Sequence, residues 1–173
     1  MAPSDRGLKG SRLDSFIRRL EAQRACLDWA AAAIVDVPGV VLELGLGNGR
    51  TYDHLRSRLS STREIFAFDR QVAAHPACIP DAGHLLVGDF RETVPAFAAR
   101  YGAAAALVHA DIGSGDEAAT AALAHWLGLA LVPLLVTDAL VLCDQALRAA
   151  GLVLQPLPRG VPADRYFIYR RAR

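Results

Sequence analysis

Apolar positions change their period several times along the chain, and each change predicts an element. From Ser11 the spacing is helical: Leu13, Phe16, Ile17, Leu20 and Leu27 recur on one face. Arg12, Arg18 and Arg19 fall off that stripe, and Arg24 interrupts it. Ser11 and Asp14 have capping-box spacing, in which the serine oxygen accepts an orphan backbone N–H and the acid answers it. Residues 1–10 are polar and read as a flexible tail. Pro38-Gly39 ends the helical region. Short apolar runs follow at Val40–Leu44, Glu64–Phe68, His84–Val87, Ala104–Ala110, Ala139–Cys143, Gly151–Gln155 and Arg165–Tyr169. Helical segments are predicted between them, over about Thr51–Leu59, Arg91–Tyr101 and from about Asp116, where Ser114 and Glu117 repeat the capping-box spacing. Alternation of this kind predicts a parallel sheet with helices on both faces. The last two runs flank a Pro/Gly-rich turn, Pro156 to Pro162, and predict an antiparallel hairpin. With no repeat or linker, residues 11–173 read as one domain.

The polar residues that interrupt this pattern sit at the ends of the strands. Glu43-Leu44-Gly45-Leu46-Gly47-Asn48-Gly49-Arg50-Thr51 joins the first strand to a helix. Glycines there let the backbone approach a ligand and adopt positive φ, and the helix N-terminus offers N–H groups to an anion. The dinucleotide fingerprint is G-x-G-x-x-G; this chain has G-x-G-x-G, with Arg50 in place of the third glycine. Glu43, at the strand end, can face a cationic part of a ligand. Asp69 ends the second strand, and a carboxylate there can accept both hydroxyls of a ribose. Asp89 and Phe90 end the third, suited to an adenine amino group and ring. In open α/β sheets ligands bind beyond these carboxyl ends.

On these residues the chain resembles the class I S-adenosylmethionine-dependent methyltransferases. It is most similar to small single-domain bacterial members with an N-terminal helix of the Ser11–Ile17 type. The resemblance covers roughly residues 11 to 171. It implies a Rossmann-like seven-stranded sheet whose last strand is antiparallel, and S-adenosylmethionine as cofactor. It also implies that Glu43, Gly45, Gly47, Asn48, Gly49 and Thr51 meet the methionine part. Asp69, with Arg70 beside it, falls where the ribose-binding acid stands, and Asp89 and Phe90 fall where adenine is held.

Methyl transfer asks mainly for orientation, because the sulfonium is already activated. The candidate catalytic groups end the fourth strand: His109 and Asp111, which period-two alternation points to one side. Asp111 can serve substrate, cofactor or a helix cap. His109 is either a general base or a satisfied core histidine. Asp111 with Asp144 and Gln145 partly resembles the metal site of catechol-type O-methyltransferases. Gln145 replaces the asparagine expected there, and the lysine expected after the first acid is missing, so the reading is metal-free. His75, Cys78 and His84 match no zinc spacing.

Composition narrows the partners. The 173 residues carry 19 Lys+Arg against 18 Asp+Glu, a net charge of +1, which disfavours a polyanion-binding surface and nucleic acid. Specificity in such folds usually comes from added segments, and with almost none beyond the N-terminal helix the expected acceptor is a small molecule. The longest apolar stretch, Leu127 to Val136, contains Gly128 and Pro133 and is too short for a bilayer; it serves the core or a homo-oligomer interface. Three scattered cysteines and no apolar leader fit a cytoplasmic enzyme. Two alternatives stand beside methyl transfer. A non-catalytic S-adenosylmethionine-binding module would keep the same acids, whereas a nicotinamide oxidoreductase is opposed by Arg50 and Glu43.

Overall fold

The computed structural model describes residues 11–163 and 165–172. The expected tail over residues 1–10 and the terminal Arg173 lie outside the described residues. The elements run α1 (Arg12–Ala33), β1 (Val40–Leu44), α2 (Arg50–Arg58), β2 (Ile65–Asp69), β3 (Leu85–Val87), α3 (Phe90–Tyr101), β4 (Ala105–Ala110), α4 (Glu117–Leu131), β5 (Leu135–Cys143), β6 (Leu152–Leu154) and β7 (Phe167–Arg171). The sheet order is β3-β2-β1-β4-β5-β7-β6. β1 to β5 are parallel, and β7 lies antiparallel between β5 and β6. This is the Rossmann-like architecture expected, reversing its direction of travel between β1 and β4.

Alternation along the strands divides the core in two. Leu42, Leu44, Phe66, Phe68, Val108, Val141 and Tyr169 pack with residues of α3 and α4. Val41, Ile65, Ala67, Leu107, Leu142 and Ile168 face the other way, with Leu27 and Ala30 of α1, its C-cap Ile34, and Leu55 of α2. A two-residue period sends neighbours to opposite faces, and helices bury both.

Local chemistry sets most boundaries. The capping box at Ser11 forms, with Ser11 N donating to Asp14 Oδ2 at 2.6 Å and Asp14 N donating to Ser11 Oγ at 3.0 Å. The second expected box does not: α4 is capped by Asp116, whose Oδ1 accepts from Ala119 N at 3.0 Å, while Ser114 turns to Thr120. Asp is as good an N-cap as Ser and sits directly before the helix. The stretch expected to be one apolar segment is three: the end of α4, a short 3-10 turn at Val132–Leu134, and the first residues of β5. β5 therefore starts four residues earlier than its apolar run suggests, interrupted by Asp138 at φ 63°. By length and composition the residues from Glu117 to Leu134, mean hydropathy 1.3, would also suit a bilayer. In the fold Ala124, Leu127 and Leu131 of this segment pack against the sheet.

α1 runs antiparallel to β1. It is followed at the foot of the sheet by a turn held by Arg63, which donates to Ile34 O at 3.0 Å and Val37 O at 2.7 Å. Its N-terminal half consequently stands beyond the carboxyl edge of the strands. The buried face of α1 passes through Gln23, not through Arg24, which is exposed.

Candidate active site

A cleft of about 500 Å³ opens at the carboxyl ends of β1, β2 and β4. Of the residues singled out from sequence, Gly45, Gly47, Asp69, Arg70, Phe90 and Asp111 line it. Arg19 of α1, Arg91 of α3 and the start of α4 complete the wall.

The glycine loop is held by backbone and by one acid. Gly45 N donates to Phe68 O at 2.9 Å, and Gly47 N donates to Asp69 Oδ2 at 2.8 Å. Gly45 has φ 93°, and a Cβ there would lie 2.5 Å from Asp111 O, so a side chain would push the two strand ends apart. Gly47 has φ 51° and open space where its Cβ would be, on the cleft side. Asp69 thus already binds the loop, and its carboxylate remains part of the cleft lining. Asp89 caps α3, accepting from Arg91 N at 2.8 Å, and pairs with Arg70 at 2.9 Å. The Arg91 backbone N–H, helped by the Arg70 charge, holds the Asp89 carboxyl below its ordinary pKa. Arg91 itself lies over the Trp126 ring, 5.5 Å from its centroid.

Glu43 and Thr51 are placed differently from the expectation, and His109 is the satisfied core histidine of its two alternatives. Glu43 is fully buried and does not line the cleft. Thr51 Oγ1 donates to its Oε1, and His109 Nδ1 bonds its Oε2 at 2.7 Å. The two strands register Glu43 directly opposite His109, on the face that α1 covers. His109 is likewise fully buried, and its Nε2 bonds the Tyr166 hydroxyl. Burial opposes the imidazolium, but the Glu43 carboxylate outweighs it and raises the His109 pKa above its ordinary value. Burial pushes the Tyr166 phenol well up. His109 therefore meets no acceptor directly. Asn48 is exposed on the loop, and Gly49, the N-cap of α2 at φ 84°, packs against Cys78; neither lines the cleft.

Gln23, Tyr166 and Arg19 belong to the site and were not visible in the sequence. Gln23 Nε2 donates to Asp111 Oδ2 at 3.1 Å and to the Tyr166 hydroxyl at 3.3 Å. Arg19 NH1 stands 3.7 Å from Asp111 Oδ1. One chain of hydrogen bonds thus joins Thr51, Glu43, His109, Tyr166, Gln23 and Asp111. Gln23, Glu43 and His109 are three of the four buried polar or charged residues among those described. The helical spacing of Gln23 to Leu20 and Leu27 was the one signal that could have exposed it.

Asp144 takes a structural role. Its carboxylate accepts from Ile112 N at 3.0 Å and Gly113 N at 3.1 Å, tethering the loop after β4. The Gln145 amide nitrogen donates to it at 3.0 Å, presenting a donor where a cation would need an oxygen. Among the described residues no group of three His, Cys, Asp or Glu converges as a metal site.

The S-adenosyl-L-methionine methyltransferase family model matches residues 10–171. The chain belongs to that family. A crystal structure of an S-adenosyl-L-methionine methyl transferase from Silicibacter pomeroyi DSS-3 is 44% identical, with a TM-score of 0.90 over 95% of this chain and 100% of that one. A methyltransferase from Geobacter sulfurreducens shares the fold at 14% identity, with a TM-score of 0.54 over 94% and 89% of the two chains. A putative caffeoyl-CoA O-methyltransferase from Staphylococcus aureus does so at 13%, with a TM-score of 0.53 over 94% and 93%. No curated protein sequence matches the chain. The cleft brings together an open glycine loop, the acid Asp69, and Asp111 beside Arg19. S-Adenosylmethionine supplies a methyl group already activated as a sulfonium, so the protein's task is binding and orientation.

Proposed function

We propose that this methyltransferase acts on a small-molecule acceptor, with the cofactor held between Asp69 and Asp111. In this reading Asp69 accepts from the ribose hydroxyls, while Asp89, Arg70 and Phe90 shape the adenine end. Asp111 takes the ammonium of the amino-acid end, and Arg19 takes its carboxylate. The observation that carries the reading is the placement of Gly45, Gly47, Asp69 and Asp111 on one cleft at the carboxyl edge of the sheet. His109, fully buried, serves by holding the acids rather than by touching the acceptor. The three free cysteines support a reducing, cytoplasmic setting.

The acceptor side is the N-terminal half of α1. Leu13, Phe16, Leu20, Gln23, Leu27, Ala30 and Ile34 form one stripe with alternating steps of three and four. Its lower part is buried, while Leu13 is 65% and Phe16 45% exposed. Leu13 stands about 15 Å along the helix from Gln23, in the half of α1 that also carries Arg19 of the cleft wall. Two side chains are far too few for a stable dimer face, which needs about 800 Å² per partner. They suit an apolar small acceptor.

Two measurements test this. Calorimetric titration with S-adenosylmethionine, S-adenosylhomocysteine and NAD should give binding of the first two only; binding of NAD alone would sink the cofactor assignment. An acceptor screen that follows S-adenosylhomocysteine release should favour apolar compounds, and Phe16→Ala should raise their KM several-fold. Turnover confined to strongly charged acceptors and indifferent to Phe16→Ala would remove the acceptor reading. Absence of turnover across the screen, with the cofactor bound, would favour the binding module.

A further inference from the structure

Asp111 lies one residue beyond β4, where no strand ladder fixes it. Its backbone is tied to Leu44 O at 3.1 Å, and Asp144 anchors the two residues that follow. Among the described residues its side chain has one hydrogen-bond partner, the Gln23 amide at 3.1 Å, while Arg19 stands off at 3.7 Å. Gln23 is 5% exposed and comes from a different element, 88 residues away. Its amide nitrogen faces a carboxylate, so both N–H groups are committed as donors: one to Asp111, one to the Tyr166 oxygen. Tyr166 is 1% exposed and sits on His109, which sits on Glu43.

We propose that Gln23 and Tyr166 are positioning residues that hold the Asp111 carboxylate in the cleft for the cofactor. The proposal rests on the reading that Asp111 meets the cofactor. With a neutral imidazole the donors run one way: Gln23 to Tyr166, Tyr166 to His109, His109 to Glu43. Every hydrogen has an acceptor, and Gln23 cannot rotate without leaving a buried donor unpaired, which is costly. A second proton on His109 reverses its bond to Tyr166. The phenol oxygen must then accept from both neighbours, and its own hydrogen loses the imidazole. The charged and titratable groups facing His109 are Glu43 on β1, Tyr166 before β7, Asp111 after β4 and Asp144 after β5. The chain thereby connects a proton in the core to the firmness of an acid in the cleft.

Calorimetric titration with S-adenosylhomocysteine separates this from a purely structural role. Asp111→Asn should weaken binding at least tenfold, and Gln23→Leu about tenfold, the range for a hydrogen bond to a charged group. The double variant should bind no more weakly than Asp111→Asn alone, because the two act as one. Gln23→Glu keeps the shape but turns a donor into an acceptor beside Asp111. Its binding should be weak at pH 8 and recover towards pH 5, as the introduced carboxyl takes up a proton. Tyr166→Phe should weaken binding less than Gln23→Leu and flatten any change of affinity with pH. Native-like binding by Gln23→Leu while Asp111→Asn is impaired overturns the proposal, as do losses that multiply in the double variant. A pH-independent Gln23→Glu does the same. Should Gln23→Leu fail to fold, Gln23→Glu and Tyr166→Phe still decide. Native-like binding by Asp111→Asn would instead remove the reading of Asp111, and the positioning role with it.

Discussion

The two ends of the cleft are built by different means. At the β2 and β3 end, Asp69, Arg70, Asp89 and Phe90 lie within 22 residues of sequence, Arg70 exposed and the other three half-buried. Their bonds are local: Asp89 to the N-terminus of its own helix, Arg70 to Asp89, Asp69 to the glycine loop. At the β4 end, Asp111 depends on Gln23, Tyr166, His109 and Glu43, drawn from four distant parts of the chain and buried. In water an ion pair is worth little and its loss is tolerated. In the core an unpartnered charge or donor is costly. Under the proposed function, the first end would tune binding, whereas the second would couple binding to the integrity of the fold.

The strongest way to break this contrast is Glu43→Ala. It leaves a buried histidine facing Tyr166 with its carboxylate gone, and removes the partner of Thr51. Stability should fall by about 3–5 kcal/mol, read by chemical denaturation. A loss below about 1 kcal/mol would show that the buried end is no more demanding than the exposed one.

Asp69→Ala should do the reverse. Affinity for S-adenosylhomocysteine should drop by about 1–3 kcal/mol in calorimetry, with a smaller change in stability. Unchanged affinity would refute the ribose role.

Glu43→Gln sharpens the electrostatic side. The His109 pKa is raised in the fold, so the Glu43–His109 pair contributes stability fully below the ordinary histidine range and loses it as pH rises through the raised value. Tm measured against pH should show this decline in the native protein and a flatter profile in Glu43→Gln. Equal slopes would mean that Glu43 does not govern the histidine.

Arg70→Ala should give the smallest effect, about 0.5 kcal/mol or less in affinity or stability. Arg70 is 70% exposed and its partner Asp89 keeps the cap of α3 without it. A loss comparable to that of Asp69→Ala would mean that Arg70 holds the cofactor directly rather than only shaping the rim of its site.

The sequence pattern alone determined the parallel sheet, the antiparallel ending, the capping box at Ser11 and the strand-end acids, because each depends on residues near one another in the chain. Periods of two and 3.6, glycine at positive φ and helix caps are all short-range. The start of β5 was hidden by a run of apolar residues that helix, turn and strand share equally. Glu43 and Thr51 were legible as part of a glycine motif, yet the motif does not say which way a strand-end carboxylate turns. That direction was decided when β1 and β4 paired and set Glu43 opposite His109. Gln23 looked like one polar residue on an amphipathic helix, and Tyr166 like one aromatic in a strand. Only the docking of α1 over the sheet, 88 residues from Asp111 and 143 from Tyr166, made them partners. A buried polar chain is chosen by the requirement that every donor find an acceptor away from water, and that requirement is met in space rather than along the sequence.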